Sequence, residues 1–150
     1  RRAACLEAGA VASLVTLLGA GPEEDATVKA AGALSNIACS DEGNAACVKA
    51  GAVAPLVALL EAGGLEAKAW AAEALGDIAD SKEGMAACVE AGAVAPLVAL
   101  LGAGPEEIAT INAAWALRNM ACSEDGRAAC LEAGAVAPLV ALLGAEQAPA

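Results

Sequence analysis

The sequence contains no histidine, no phenylalanine and no tyrosine, and its aromatic residues are Trp70 and Trp115. Without histidine, the Ser-His and Cys-His pairs that activate nucleophiles cannot be built. A glycine-rich phosphate loop with a lysine is also missing, and no Cys-x-x-Cys pair indicates a zinc site. The acidic residues cluster in loops and helix starts rather than as active-site pairs. We therefore expect no enzymatic activity, no metal site and no cofactor.

Basic residues are also scarce: eight lysines and arginines stand against nineteen acidic residues, giving a formal net charge of −11. Nucleic-acid binding depends mainly on basic side chains that meet phosphates, so nucleic acid is not the expected partner. Anionic membranes are disfavoured for the same reason, and apolar runs such as 133–145 are too short to span a bilayer. A basic partner is favoured at long range. Alternatively, the acids serve only solubility and helix N-termini.

Six cysteines are present, and four of them occupy one equivalent repeat position: Cys5, Cys47, Cys88 and Cys130. Equivalent points of stacked helices lie about 9–10 Å apart, which is too far for a disulfide. A local bridge from Cys39 to Cys47, or from Cys122 to Cys130, stays open at this point. Buried free thiols are the preferred interpretation, and they predict an intracellular, reducing location in the cytoplasm or nucleus.

The most informative feature is a repeated segment, Ala-Ala-Cys-(Leu/Val)-x-Ala-Gly-Ala-Val-Ala-(Pro/Ser)-Leu-Val-x-Leu-Leu. It begins at Ala3, Ala45, Ala86 and Ala128, at intervals of 42, 41 and 42 residues. A period of this length is typical of stacked-repeat proteins. We predict a single domain, 1–150, with repeats at about 1–42, 43–84 and 85–126 and a partial repeat at 127–150.

Each repeat is predicted to form three helices, so the fold class is all-α. The first helix ends at a glycine that tolerates positive φ: Gly9, Gly51, Gly92 or Gly134. The second helix has Pro55, Pro96 or Pro138 in its first turn, with Ser13 at that place in the first repeat. Gly-Pro-Glu-Glu at 21–24 and 104–107 predicts the start of a third helix.

This triple-helix pattern resembles the armadillo-repeat family, which includes importin-alpha and beta-catenin-like proteins. The resemblance is carried by Gly-Ala-Val-Ala-Pro-Leu-Val-Ala-Leu-Leu in the second helix and by Ala113–Ala121 in the third. It covers essentially the whole chain. It implies a right-handed α-solenoid of three-helix armadillo repeats, in which the third helices line the inside of the superhelix.

One stripe of the third helix is polar or aromatic, at positions i, i+3 and i+7, which share a face. These positions hold Lys29, Gly32 and Asn36; Trp70, Glu73 and Asp77; and Asn112, Trp115 and Asn119. The resemblance to importin-alpha implies that a Trp and an Asn four residues later clamp an extended peptide. Trp115 with Asn119 matches that pair, the first repeat matches only at Asn36, and the second repeat departs at both positions.

We therefore predict a scaffold that binds an extended, basic peptide along the groove of the third helices. The predicted peptide-binding residues are Lys29, Asn36, Trp70, Glu73, Asp77, Asn112, Trp115, Arg118 and Asn119. In the structural alternative, Asn36 and Asn119 bridge neighbouring helices and both Trp rings shield an Ala-rich groove. A second hypothesis is a subunit or fragment of a larger assembly, or an artificial repeat protein, that self-associates or contacts partners through uncapped ends.

Overall fold

The computed structural model describes the backbone at residues 2–21, 25–104 and 107–147, and the side chains at 9–21, 25–104 and 107–144. These residues form helices and no strand. The helices are α1 (Arg2–Leu18), α2 (Asp25–Ala38), α3 (Asp41–Lys49), α4 (Val53–Ala62), α5 (Leu65–Ile78), α6 (Lys82–Glu90), α7 (Val94–Leu100), α8 (Ile108–Met120), α9 (Glu124–Glu132) and α10 (Val136–Gln147). A 3-10 turn, Leu101–Ala103, extends α7.

The helices stack in three rows, one for each position in the repeat. The third helices α2, α5 and α8 pack side by side, the first helices α3, α6 and α9 form a second row, and α4 and α7 belong to a third. The third-helix row is the most closely packed, because alanines such as Ala72, Ala74 and Ala113 are fully buried in it. A stack with one tighter row curves toward that row, so the third helices form its inner face.

A Ser-x-x-Gly segment joins each third helix to the next first helix. The Oγ atoms of Ser40, Ser81 and Ser123 cap the following helices by accepting hydrogen bonds from backbone N–H groups three residues later, each at 2.9 Å. The donors are glycines because a Cβ at Gly43 or Gly84 would collide with the carbonyl oxygen of Ile37 or Ile78. The first helix therefore lies directly against the end of the third.

A glycine in the left-handed backbone conformation separates the first helix from the second in the later repeats, as predicted. Gly51, Gly92 and Gly134 have φ values of 74°, 79° and 73°. The second helix then begins two residues later, with proline as its third residue, where a missing N–H breaks no helical hydrogen bond. Each first helix meets the following second helix at 79° to 82°.

The prediction of a helix end at Gly9 is wrong, because α1 runs without a break from Arg2 to Leu18. The reason is Ser13, which replaces the proline of the other repeats. A proline ring would clash with the carbonyl four residues earlier and disfavour the helical conformation of the residue before it. Serine does neither, so one helix replaces the predicted first and second helices of repeat one.

The predicted acidic first turns fall largely on residues 22–24 and 105–106, which lie outside the described residues. The third helix of repeat three begins at Ile108, with Glu107 as its N-cap residue. Within the described chain, no single helix is both long and apolar enough to cross a membrane. Three pairs of a first and a second helix reach that length and composition together, but each pair is sharply bent.

The prediction of buried thiols is confirmed for some of the cysteines and wrong for others. Cys47 and Cys88 are fully buried, and burial raises the pKa of the Cys88 thiol to about 12. Cys39, Cys122 and Cys130 carry free thiols, so neither local bridge is formed; the Cys5 side chain lies outside the described residues. Cys47 and Cys88 belong to the buried core, and Cys130 packs against it. Cys39 and Cys122 are exposed, so the prediction of buried thiols is wrong for these two.

Candidate functional site

Two neighbouring grooves lie along the third helices. The α5–α8 groove has a volume of about 670 Å³, and the α2–α5 groove has a volume of about 330 Å³. The first is lined by Leu65, Glu66, Ala69, Trp70, Glu73, Glu107, Ile108, Ala109 and Asn112. The second is lined by Asp25, Val28, Lys29, Gly32, Glu66 and Trp70. Glu66 and Trp70 belong to both, so they form the wall between the two grooves.

The Trp70 ring rests on the helix of the preceding repeat. A Cβ added at Gly32 would lie 3.5 Å from Cδ2 and Cε3 of Trp70, an ordinary van der Waals contact. The side chain is nonetheless 36% exposed. Because α2 supports the ring while part of it faces solvent, Trp70 offers a fixed aromatic surface with few torsions left to freeze on binding.

The α5–α8 groove is acidic. Glu66, Glu73 and Glu107 line it, and its described lining contains no basic side chain. Burial raises the pKa of Glu73, and the charge of Asp77 raises it further. A nearby cation stabilises the charged form of a carboxylate that is disfavoured in this way.

The α2–α5 groove differs because it contains its own cation. The Lys29 Nζ lies 3.6 Å from Asp25 Oδ2, and both side chains are highly exposed. An exposed pair of this kind contributes little stability, yet it partly neutralises the groove. Of the two grooves, the α5–α8 groove is therefore the better site for a positively charged ligand.

Two asparagines of α8 tie this helix to α5. The Nδ2 of Asn112 donates to the carbonyl oxygen of Ala69 at 2.9 Å, and the Nδ2 of Asn119 donates to that of Gly76 at 2.9 Å. Gly76 lies in the last turn of α5, where carbonyls have no intrahelical donor. Asn119 thus satisfies an end group of the preceding repeat, which is the bridging role of the structural alternative.

Trp115 contacts the same glycine. A Cβ at Gly76 would overlap Cζ3 and Cε3 of the Trp115 ring, so only glycine fits below it. Trp115 and Asn119 are both half-buried, and neither lines the two grooves. The pair that matches the peptide clamp of importin-alpha is therefore held at the α5–α8 interface in the structure.

Asp77 is held by the first repeat. Its Oδ2 accepts a hydrogen bond of 2.6 Å from Ser35 Oγ, and the Cys39 thiol donates to the carbonyl oxygen of Ser35 at 3.4 Å. Burial raises the pKa of Asp77, while the hydrogen bond from Ser35 opposes that rise. Asn36 and Arg118 are exposed near the C-terminal ends of their helices.

The predicted stripe therefore divides into two parts. Lys29, Trp70, Glu73 and Asn112 line the grooves, whereas the other predicted residues lie toward the helix C-termini: Asn36, Asp77, Trp115, Arg118 and Asn119. The structure adds residues at the helix starts that the sequence analysis missed: Asp25, Leu65, Glu66, Glu107 and Ile108. Comparing the first-turn residues of the three third helices would have identified these positions from the sequence.

The described residues contain no group of three or more acidic or cysteine side chains arranged to hold a metal ion.

The sequence model of the Armadillo/beta-catenin-like repeat matches residues 1–39 and 82–122, more than half of the chain. The chain belongs to the armadillo-repeat family. Its fold is accordingly the right-handed α-solenoid of armadillo repeats. A comparison with curated proteins returns no match.

Solved structures of designed and engineered proteins show the same architecture. A designed armadillo repeat protein in complex with the peptide (KR)4 is 38% identical, with a TM-score of 0.83 over 93% of this chain and 59% of its own. A computationally designed armadillo repeat protein for modular peptide recognition is 38% identical, with a TM-score of 0.82 over 92% and 58%. An engineered protein is 32% identical, with a TM-score of 0.82 over 89% and 55%. This chain spans a little over half the length of these proteins.

Proposed function

We propose that this armadillo-repeat chain is a non-catalytic scaffold that binds an extended, basic peptide along its third helices. The observation that carries the proposal is the α5–α8 groove, where an exposed Trp70 ring stands among Glu66, Glu73 and Glu107 without a described basic residue. The aliphatic stem of a lysine or arginine would lie on the ring while its charged head meets the carboxylates.

The spacing of the helices suits an extended ligand. A strand advances about 3.3 Å per residue, and packed helices lie about 8–10 Å apart, so two or three peptide residues pass each repeat. Side chains two positions apart point the same way, and can enter grooves on either side of Trp70. The designed relative that is in complex with (KR)4 supports a peptide of this kind.

The proposed path continues toward the C-terminal ends of the third helices, past Asn36, Asp77, Trp115, Arg118 and Asn119. Here a guest would compete with existing contacts, because Asn119 already donates to Gly76 and Asp77 already accepts from Ser35. We therefore expect Trp70→Ala to weaken binding more than Trp115→Ala or Asn119→Ala. The expected loss at Trp70 is roughly tenfold, the size of a partly desolvated cation–π contact.

Fluorescence anisotropy with a labelled Lys-Arg octapeptide tests the proposal. Glu73→Gln should weaken binding severalfold, and more strongly at low salt. Glu90→Gln is the matched control, because Glu90 is exposed on α6 outside both grooves and its loss changes the net charge equally. If Glu73→Gln and Glu90→Gln weaken binding equally, or if Trp70→Ala binds the peptide as tightly as the parent chain does, the peptide binds elsewhere.

A second candidate function uses the C-terminal face, defined as Leu131, Val136, Val140 and Leu143. These side chains are 57% to 69% exposed, whereas the equivalents of Val136 in the two preceding repeats, Val53 and Val94, are 5% and 4% exposed. An exposed apolar face supports contact with another subunit or with a second copy. Light scattering of the chain and of Val140→Glu tests this: a dimer or larger assembly that the variant abolishes supports it, and a monomer in both cases argues against it.

We further propose that the chain acts in a reducing compartment, with a protein rather than a nucleic acid or a membrane as its partner. The exposed free thiols of Cys39 and Cys122 and the net charge of −11 support this. The test is to oxidise the chain, so that intermolecular disulfides form through Cys39 or Cys122, and to measure peptide binding again. If binding is retained, the result counts against the reducing location.

A further inference from the structure

The mouth of the α5–α8 groove carries aliphatic side chains as well as acids. Leu65 is 44% exposed and Ile108 is 66% exposed, and both line the groove beside Trp70. Ala69 adds a small apolar surface. Single exposed aliphatic residues are ordinary on a protein surface, but here two of them converge with an exposed aromatic ring in one concave site, which is typical of a ligand pocket.

The two helix starts contribute in opposite order. In α5, Leu65 precedes Glu66, and in the segment that enters α8, Glu107 precedes Ile108. Leu65 is therefore equivalent to Glu107, and Glu66 is equivalent to Ile108. Each helix start supplies one acid and one aliphatic residue, and Glu73 adds a third acid to the groove between them. The α2–α5 groove lacks this arrangement, because acids hold both corresponding positions there: Asp25 at the place of Glu66, and Glu66 at the place of Ile108.

We propose that the α5–α8 groove selects a mixed sequence, in which a large aliphatic residue lies within two positions of a lysine or arginine. This rests on the proposed function and specifies its ligand. The basic head meets Glu66, Glu73 or Glu107, and the aliphatic side chain covers Leu65 and Ile108, whose surface leaves water on binding. An all-basic peptide leaves that aliphatic surface uncovered.

The test uses three octapeptides: alternating Lys-Arg, and the same peptide with one central arginine replaced by leucine or by alanine. The last two have equal charge, so their ratio isolates the apolar contribution. We expect the leucine peptide to bind about five- to tenfold more tightly than the alanine peptide, which corresponds to burial of roughly half a leucine side chain. In the Leu65→Ala/Ile108→Ala variant this ratio should fall below about twofold.

Ile111→Ala provides the matched control. Ile111 is 56% exposed on the same helix but does not line the groove, so this variant should keep the full preference for leucine. Equal binding of the leucine and alanine peptides, while the Lys-Arg peptide binds, overturns this inference alone. No binding of any peptide overturns the proposed function. A chain that dimerises in light scattering, and becomes monomeric in the Ile108→Ala variant, assigns the aliphatic pair to a second copy and also overturns the inference.

Discussion

Two glycines inside third helices provide a sharp test of how successive repeats pack. Gly32 lies below Trp70 and Gly76 lies below Trp115. A glycine within a helix costs about 0.5–1 kcal/mol relative to alanine. If no neighbour opposed the added methyl group, Gly32→Ala and Gly76→Ala would both stabilise the chain by that amount.

The surroundings of the two glycines predict opposite signs. At Gly32 the methyl group would meet Trp70 at 3.5 Å, so the full gain of about 0.5–1 kcal/mol is expected. At Gly76 it would overlap the Trp115 ring, which must tilt away and disturb the nearby hydrogen bond from Asn119. Overpacking of this kind costs about 1–3 kcal/mol. The gain in helix propensity offsets part of this cost, which leaves a net loss of roughly 0.5–2 kcal/mol.

Urea unfolding followed by circular dichroism measures both variants, and unchanged m-values would show that only stability differs. Repeating Gly76→Ala in the Trp115→Ala background supplies the control, because removal of the ring should convert the loss into a gain of about 0.5–1 kcal/mol. If Gly76→Ala stabilises the parent chain as much as Gly32→Ala does, Trp115 does not lie on Gly76 and the described α5–α8 interface is wrong.

Three further changes test other parts of the fold. Asn44→Ala should lower the free energy of unfolding by about 1–3 kcal/mol, because Asn44 is buried and its amide donates to the last carbonyls of α5. Asn36→Ala is the control, because Asn36 is exposed; equal losses of stability in the two variants would contradict this reasoning. Gly84→Ala should lower the melting temperature strongly, because the added Cβ would collide with the backbone carbonyl of Ile78. Gly102→Ala is the control, because a Cβ there meets nothing within 4 Å; equal melting temperatures of the two variants would refute the described packing of α6 against the end of α5. Burial raises the pKa of Asp77 in the folded chain, so ionisation of Asp77 destabilises the fold as pH rises. In urea titrations, Asp77→Asn should gain stability relative to the parent as pH rises above about 4, the ordinary pKa of an unfolded aspartate, and a stability difference that does not change with pH would refute this.

Local backbone chemistry made most of the helices predictable from the sequence. Gly51 marks a helix end, because glycine readily adopts positive φ. Pro55 marks the first turn of the next helix, because its ring fixes φ near the helical value. The failure at Gly9 shows the limit of this reasoning. A glycine permits a helix to end but does not force it, and without proline at position 13 nothing prevents the helix from continuing.

The candidate site was predictable only in part. Periodicity placed Trp70 and Glu73 on one face, and both line the α5–α8 groove, because the face of a helix follows from its 3.6-residue repeat. The contact of Trp115 with Gly76 was not predictable, since it depends on the register between two helices that lie about forty residues apart in sequence. The same holds for Asn119, whose amide finds a carbonyl of the neighbouring helix rather than solvent.

The joints between repeats are nearly superimposable, since Ser40, Ser81 and Ser123 have φ and ψ values within a few degrees of one another. If only these joints mattered, whole repeats could be removed or added. The contacts between third helices prevent the repeats from being exchanged freely, because Ser35 occupies in α2 the position that Gly76 occupies in α5. If repeat two were deleted, the Trp115 ring would meet a serine side chain instead of a bare Cα. The pairing of each tryptophan with a glycine of the preceding repeat thus fixes the order in which the units can follow one another.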